Sequence, residues 1–247
     1  MIIKEVYART ILSKSKVFDY TINPYIGCEH SCVYCYARFM KRFTGHKERW
    51  GEFVDVKINA AYLLQNEINR KKVGRVWISG VCDPYQLLEK KYEITRRCLE
   101  ILSKHNWPVT VQTKSPLVLR DVDLLRKIKD VEVGFTITTA DDDVRKIFEP
   151  NVSSIEERIE TLEKLHSLGI RTFAMIAPML PKADDLPAKI AGKVDYVLVD
   201  KMNYHNADWV YRKHKLEYAR TEDYFTQKKI EIGNALEKEN MQYRLLF

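Results

Sequence analysis

Three cysteines fall within eight residues of one another, in NPYIGCEHSCVYCYAR (23–38), as Cys28, Cys32 and Cys35. Thiolates at the spacing C-x3-C-x2-C on one short loop, separated by mostly polar residues, point to metal rather than to core packing. Gly27 supplies backbone freedom where such a loop must turn around a metal. The loop can wrap a cubane and ligate three of its irons. A [4Fe–4S] cluster takes four ligands, so one iron stays open to an outside ligand. Zinc is the second reading, with His30 or a distant residue as fourth ligand, although structural zinc usually takes two paired ligand sets. An electron-transfer ferredoxin would bring a fourth cysteine nearby. Here Cys82 and Cys98 stand alone. Five cysteines are an odd number and crowd at one place, unlike a disulfide framework.

After residue 70 the pattern alternates between short β-rich runs and helical runs. RVWISGV (75–81), VTVQTK (109–114), VEVGFTITT (131–139), RTFAMIAPM (171–179) and YVLVDK (196–201) read as strands. YTINPYI (20–26) reads as an earlier one. Helices are expected near 93–105, 121–128, 153–168 and 221–239, the third opened by a serine cap with a capping-box acid and closed by Gly169. Strand–helix alternation predicts parallel β/α units with right-handed crossovers. About six such units make an α/β fold with a parallel sheet, a partial (β/α)6 barrel of the TIM type. An open doubly wound sheet is the alternative, but no GxGxxG turn follows any strand. Residues 1–247 are expected to form one domain, with a core over about 18–205 and a helical extension over about 206–247. No apolar run approaches the ~20 residues of a membrane helix. The N-terminal residues do not read as a signal peptide, so a cytoplasmic protein with no membrane partner is expected.

The cysteine spacing, with an aromatic residue before the last cysteine on a loop after the first strand, resembles the radical S-adenosylmethionine (SAM) superfamily. Further segments resemble its spore photoproduct lyase-like group, often labelled DNA-repair photolyases: SGVCDPYQLLEKKYEITRRCLEIL (79–102), TKSPLVLRDVDLL (113–125) and TTADDDVRKIFEPNVSSIEERIETLEKLHSLGI (138–170). The resemblance spans roughly residues 20–205. It implies a site-differentiated [4Fe–4S] cluster on Cys28, Cys32 and Cys35, with SAM chelating the open iron. One electron then cleaves SAM to a 5′-deoxyadenosyl radical, which takes hydrogen from a substrate. By position in the family pattern, Ser79, Gly80 and Val81 meet the methionyl amine, Lys114 pairs with the SAM carboxylate, and Thr138 or Thr139 holds the ribose. Tyr34 and Tyr36 match tyrosines flanking the last cysteine, one shielding the cluster and one relaying hydrogen. In the lyase a cysteine returns hydrogen to the product radical; aligned on Asp83 that position falls at Gly80, two residues before Cys82. Cys82 is therefore a candidate hydrogen donor, or a small residue beside the SAM pocket. Cys98 sits in an apolar helical stripe and reads as a core thiol.

The chain carries 41 Lys and Arg against 34 Asp and Glu, a net charge of +7 that suits a polyanionic partner without requiring one. Basic residues interleave with Phe39, Phe43 and Trp50 between 38 and 50, and again over Trp209–Lys215. Both stretches suit a groove that tracks a nucleic-acid backbone and stacks bases, or a solvated helix whose aromatics face a core. Lys201, Asn203 and His205, after the last expected strand, are candidates for reading a substrate. The expected substrate is a nucleic acid (DNA or RNA) or nucleotide, with a small metabolite or peptide as the alternative. A zinc-stabilised nucleic-acid-binding module is a further reading. A ferredoxin or flavodoxin is the expected electron donor.

Overall fold

Strand β-branching and helix capping fall where the sequence pattern expects them. The computed structural model describes residues 1–247. Its chain divides into two compact units, Met1–Ser31 with Ala37–Val133, and Cys32–Tyr36 with Gly134–Phe247. In the first lie β1 (Ile2–Val6), β2 (Leu12–Lys14), β3 (Tyr20–Ile22), β4 (Tyr25–Ile26), β5 (Phe53–Lys57), α1 (Ala60–Ile68), β6 (Val76–Ile78), α2 (Glu89–Tyr92), α3 (Ile94–Lys104), β7 (Val109–Thr113) and α4 (Val122–Leu125). Strand β8 (Val131–Thr136) starts in the first unit and ends in the second. The second continues with α5 (Asp142–Phe148), α6 (Ile155–Ser167), β9 (Arg171–Ile176), α7 (Leu186–Ile190), β10 (Tyr196–Val199), α8 (Asp208–Lys213), α9 (Glu222–Lys238) and β11 (Gln242–Leu245).

In the first unit β3, β6 and β7 run parallel, with Ile22 opposite Ile78 and Ile78 opposite Val111. Val76, Ile78, Val109 and Val111 are fully buried, as a parallel sheet covered on both faces requires. Antiparallel β2 ends this sheet. The expected strand over 20–26 is split. Pro24 has no amide to donate, and Asn23 turns its carboxamide out of the ladder, so β3 and β4 join different sheets. β4 pairs antiparallel with β5, which pairs in parallel with β1. The sequence pattern did not anticipate this small three-stranded sheet.

In the second unit β9, β10 and β11 are parallel, with Val199 between Ile176 and Leu245. β11 makes the C-terminal extension helical only in part, because it ends as a sheet edge. Every other expected strand stops one to three residues early: β6 ends at Ile78, β7 at Thr113, β8 at Thr136, β9 at Ile176 and β10 at Val199. Ser79, Gly80, Val81, Lys114, Thr138 and Thr139 therefore belong to the loops that leave the strands rather than to the strands. The loops after β6 and β7 are held by the Asn23 and Asp83 side chains, whereas those after β8 and β9 keep single backbone bonds such as Ile137 amide to Met175 carbonyl.

Helix α6 opens with a complete capping box: the Ser154 hydroxyl accepts from the Glu157 amide at 3.2 Å, and the Glu157 carboxylate accepts from the Ser154 amide at 2.8 Å. Gly169, at φ +75°, closes it. Replacing Ser154 with Ala should destabilise the fold by about 1 kcal/mol. A thermal melt by circular dichroism checks this, and an unchanged midpoint would remove the cap from the account.

Candidate cofactor and active site

In the first unit the turn after β6 is shaped by one side chain. The Asn23 carbonyl oxygen accepts from the Ser79 hydroxyl at 2.8 Å, the Gly80 amide at 2.9 Å and the Val81 amide at 3.1 Å. Peptide N–H and C=O point in opposite directions. Binding the 80 and 81 amides therefore turns the Ser79 and Gly80 carbonyls away from Asn23. Cys82 lies 2.9 Å from the Ser79 oxygen. Ser79 has one hydroxyl proton and gives it to Asn23, so the Cys82 thiol donates to Ser79. Burial pushes the Cys82 thiol up to about 12, partly offset by Ser79, the Tyr25 amide and the charge of Lys57. Cys82 is part-exposed and holds its proton at neutral pH. Lys57, on β5, is lowered from its ordinary value by desolvation, which outweighs the pull of Cys82.

The Asp83–Gln86 segment locks the end of β7 and the start of the cysteine loop to this turn. Asp83 is buried and accepts from the Thr113 hydroxyl at 2.7 Å, the Tyr85 amide at 2.9 Å and the Lys114 amide at 2.8 Å. His30, between the first two cysteines of the triplet, lies 3.4 Å from the same carboxylate. The Gln86 carboxamide accepts from the Glu29 amide at 2.9 Å and donates to the Gly27 carbonyl at 3.4 Å. Gly27 sits at φ +92°, and a Cβ there would come within 2.2 Å of the Phe53 carbonyl oxygen. No side chain fits at that position. Behind it, the fully buried Glu89 accepts from Tyr25, from the Thr95 amide at 3.0 Å and from Arg120 at 2.7 Å. Lys114 is placed at the strand end by its own backbone, through Asp83.

In the second unit the residues around the last two cysteines are held from α5. The Val33 amide donates to the Phe148 carbonyl at 2.9 Å, and the Tyr34 hydroxyl donates to Glu149. Glu149 also accepts from the Thr138 hydroxyl at 3.2 Å and pairs with Arg158 at 2.6 Å. Both ionic partners are fully buried. Arg158 reaches on to the Thr136 carbonyl at 3.1 Å and to the Ser153 carbonyl at 2.9 Å. Burial, with the Cys32 and Glu149 charges beside it, raises the Tyr34 phenol well above its ordinary value. Asn206 donates to the Cys35 carbonyl at 3.0 Å. Tyr36 stacks on Tyr204 with centroids 5.8 Å apart and is 42% exposed. The two tyrosines thus differ: Tyr34 is enclosed and Tyr36 faces solvent.

Thr138 and Thr139 are fully buried, and their hydroxyls donate to Glu149 and to the Pro181 carbonyl. The three substrate-reading candidates are also bonded: Lys201 to Glu222 at 2.6 Å, Asn203 to Asp200 at 2.9 Å, and His205 to Asp208 at 2.7 Å. In the first basic–aromatic stretch Phe39 and Phe43 are exposed with Arg42 over both rings, whereas Trp50 packs edge-on to Phe53. His46, in the same stretch, is buried between Glu48 at 3.0 Å and Asp55 at 2.8 Å. In the second stretch Trp209 is exposed, and Tyr211 is buried against Phe148. Cys98 is fully buried, as its apolar stripe requires. Asn23, Glu149 and Arg158 were not singled out by sequence reasoning. Their signals were an Asn before Pro at a strand end, and a Glu-Pro after a helix followed by an Arg on the next one.

None of the five cysteines is in a disulfide; Cys28 and Cys32 are buried and Cys35 is part-exposed. No group of three or more His, Cys, Asp or Glu side chains is gathered tightly enough to hold a metal ion. A cubane presents its irons at separate corners, so each thiolate meets its own iron and convergence on one point is not required. The donor set, three cysteines outside any disulfide within eight residues of chain that follow a glycine admitting no side chain, fits such a cluster.

The Radical SAM superfamily model matches residues 22–189. An uncharacterized protein of Methanocaldococcus jannaschii is 40% identical over 167 residues, 68% of this chain and 62% of that protein. The chain therefore spans less than two thirds of the length of that relative. A spore photoproduct lyase variant with bound AdoMet and dinucleoside spore photoproduct superposes with a TM-score of 0.73 at 15% identity, covering 99% of this chain and 82% of that one. Streptococcus suis SuiB bound to precursor peptide SuiA gives a TM-score of 0.54 at 18% identity, over 92% of this chain and 48% of that one. These likenesses show the fold, an α/β architecture with a mostly parallel sheet of the partial-barrel type. With the family model covering more than half its residues, the chain belongs to the radical SAM superfamily of enzymes.

Proposed function

We propose that this enzyme holds a [4Fe–4S] cluster on Cys28, Cys32 and Cys35, binds SAM beside it, and acts on a nucleic acid or nucleotide. The observation that carries the reading is the set of three cysteines, none in a disulfide, on one short stretch of chain within the residues that the family model matches. When bound, the cluster and SAM supply one-electron chemistry that ends in hydrogen abstraction from a substrate. The protein's part is to bind, orient and exclude water. Asn23 fixes the 79–81 turn so that backbone carbonyls of Ser79 and Gly80 are presented to an ammonium group. Lys114 stands at the end of β7 to meet a carboxylate. Thr138 and Thr139 form wall rather than hydrogen-bond donors at the end of β8, since their hydroxyls are engaged inward. Cys82 keeps its S–H bond at neutral pH, the form needed to give up a hydrogen atom. Tyr36, exposed and adjacent to Cys35, suits a hydrogen relay better than Tyr34 does.

Three features support a polyanionic substrate: the net charge of +7, the exposed Phe39 and Phe43 with Arg42, and the exposed Trp209 followed by Arg212 and Lys213. The solved lyase with its dinucleoside has the same fold. A peptide is the second reading, favoured by the fold likeness to SuiB with its bound precursor peptide. A ferredoxin or flavodoxin fits as the electron source.

Anaerobic reconstitution with iron and sulfide, followed by SAM and dithionite, should give 5′-deoxyadenosine, and oligonucleotides should raise its yield. Cys32→Ala should abolish it. Native, iron-replete protein without a cluster signal in electron paramagnetic resonance would end the proposal. Asn23→Ala removes three hydrogen bonds from the 79–81 turn and should weaken SAM binding about tenfold or more, with Asn23→Asp recovering most of it. Equilibrium dialysis under nitrogen checks this, and equal affinity for Asn23→Ala would detach the turn from SAM. With its pKa raised to about 12, Cys82 stays protonated below that value. The Cys82-dependent part of turnover, native minus Cys82→Ala, should then be flat from about pH 6.5 to 9. A rise or fall with an apparent pKa inside that window would contradict the enclosed thiol.

A further inference from the structure

We propose that Glu149 is a positioning residue for the cysteine segment and that Tyr34 is the handle by which it holds that segment, a role that rests on the cluster reading above but can be tested without it. Two consecutive residues of α5 and its end, Phe148 and Glu149, grip two consecutive residues between the last two cysteines, Val33 and Tyr34. The first grip is backbone to backbone, Val33 amide to Phe148 carbonyl at 2.9 Å. The second is side chain to side chain, Tyr34 hydroxyl to Glu149 carboxylate. Together they fix both the path of the chain and the orientation of the aromatic ring between Cys32 and Cys35.

The same carboxylate oxygen accepts from Thr138 at 3.2 Å, so the residue that holds the cysteine segment also holds the loop leaving β8. Arg158 completes the arrangement. It faces Glu149 at 2.6 Å and donates to the Thr136 and Ser153 carbonyls, so the fully buried carboxylate is matched by a guanidinium that is itself held in place. Arg145 donates to the Glu149 and Val152 carbonyls at 3.3 and 3.0 Å and fixes the backbone that carries the carboxylate. A tyrosine that passes hydrogen to a substrate must reach it. Tyr34 is 8% exposed and its hydroxyl is directed into this buried pair, which suits holding rather than transfer.

Tyr34→Phe deletes one oxygen and leaves the Glu149–Arg158 pair intact. In the metal-free protein, hydrogen–deuterium exchange over residues 32–36 should speed up about tenfold, the equilibrium equivalent of one hydrogen bond to a charged group. In the reconstituted protein, iron should pass to a chelator about tenfold faster, with altered g-values of the reduced cluster. Glu149→Gln supplies the discriminating control. It keeps a carbonyl for Tyr34 but removes the charge facing Arg158, so it should lower the melting temperature more than Tyr34→Phe while releasing iron more slowly. A purely structural role predicts the opposite order, with iron loss following melting temperature. Exchange and iron release in Tyr34→Phe within twofold of native, or iron loss ranked by melting temperature, would overturn the inference. Faster exchange in Tyr34→Phe, together with native protein that takes up no cluster, would leave the positioning role standing and remove only the cluster reading.

Discussion

Carboxylates buried at the ends of parallel strands set the terms for this structure. Transferring an ionised carboxylate out of water is tolerable only when several donors surround it. Asp83, Glu89 and Glu149 are each no more than 8% exposed, and each collects partners from different segments of its own unit. Asp83 takes a hydroxyl and two amides, Glu89 a phenol, an amide and a guanidinium, and Glu149 a phenol, a threonine and a guanidinium. Because leaving any of them short of donors would cost several kcal/mol, the loops that supply the donors have little choice of conformation. Loop precision here comes from unavoidable charge satisfaction more than from apolar packing.

That constraint is consistent with a fold shared at 14–15% identity with spore photoproduct lyase. The strands need only be apolar and β-branched. The turns need specific acids and their donors. The turn after β6 carries its thiol at position 82, tucked against Ser79, with a glycine at position 80. Asn23 pins that turn, so what the sulfur can reach is set by the turn and not by the sheet beneath it.

Much of the sheet was legible in the sequence because parallel strands buried on both faces read as continuous apolar runs, as in Val76–Ile78 and Val109–Val111. The capping box at Ser154 and the turn at Gly169 were equally plain. The early strand ends were not, since Ser79, Lys114 and Thr138 continue the β-favouring pattern but bond to side chains far away in sequence. The small sheet of β1, β5 and β4 was missed because β1 is largely exposed, Asp55 interrupts the apolar run of β5, and the two residues of β4 follow a proline. At the site, the cysteines and Lys114 could be read from spacing and family likeness. Asn23 and Arg158 could not, because their value lies in partners 56 and 22 residues distant.

The two thiols outside the triplet bear on what air does to the protein. Cys98 is sealed in the core, and Cys82 is kept as a neutral thiol, a poor nucleophile toward peroxide or a disulfide. Neither competes to capture a neighbouring sulfur. Two thiols, Cys35 and Cys82, are part-exposed, and protonation slows the reaction of the second. A thiol that stays protonated or lies sealed in the core is slow to exchange, so wrong disulfides are not expected at Cys82 or Cys98.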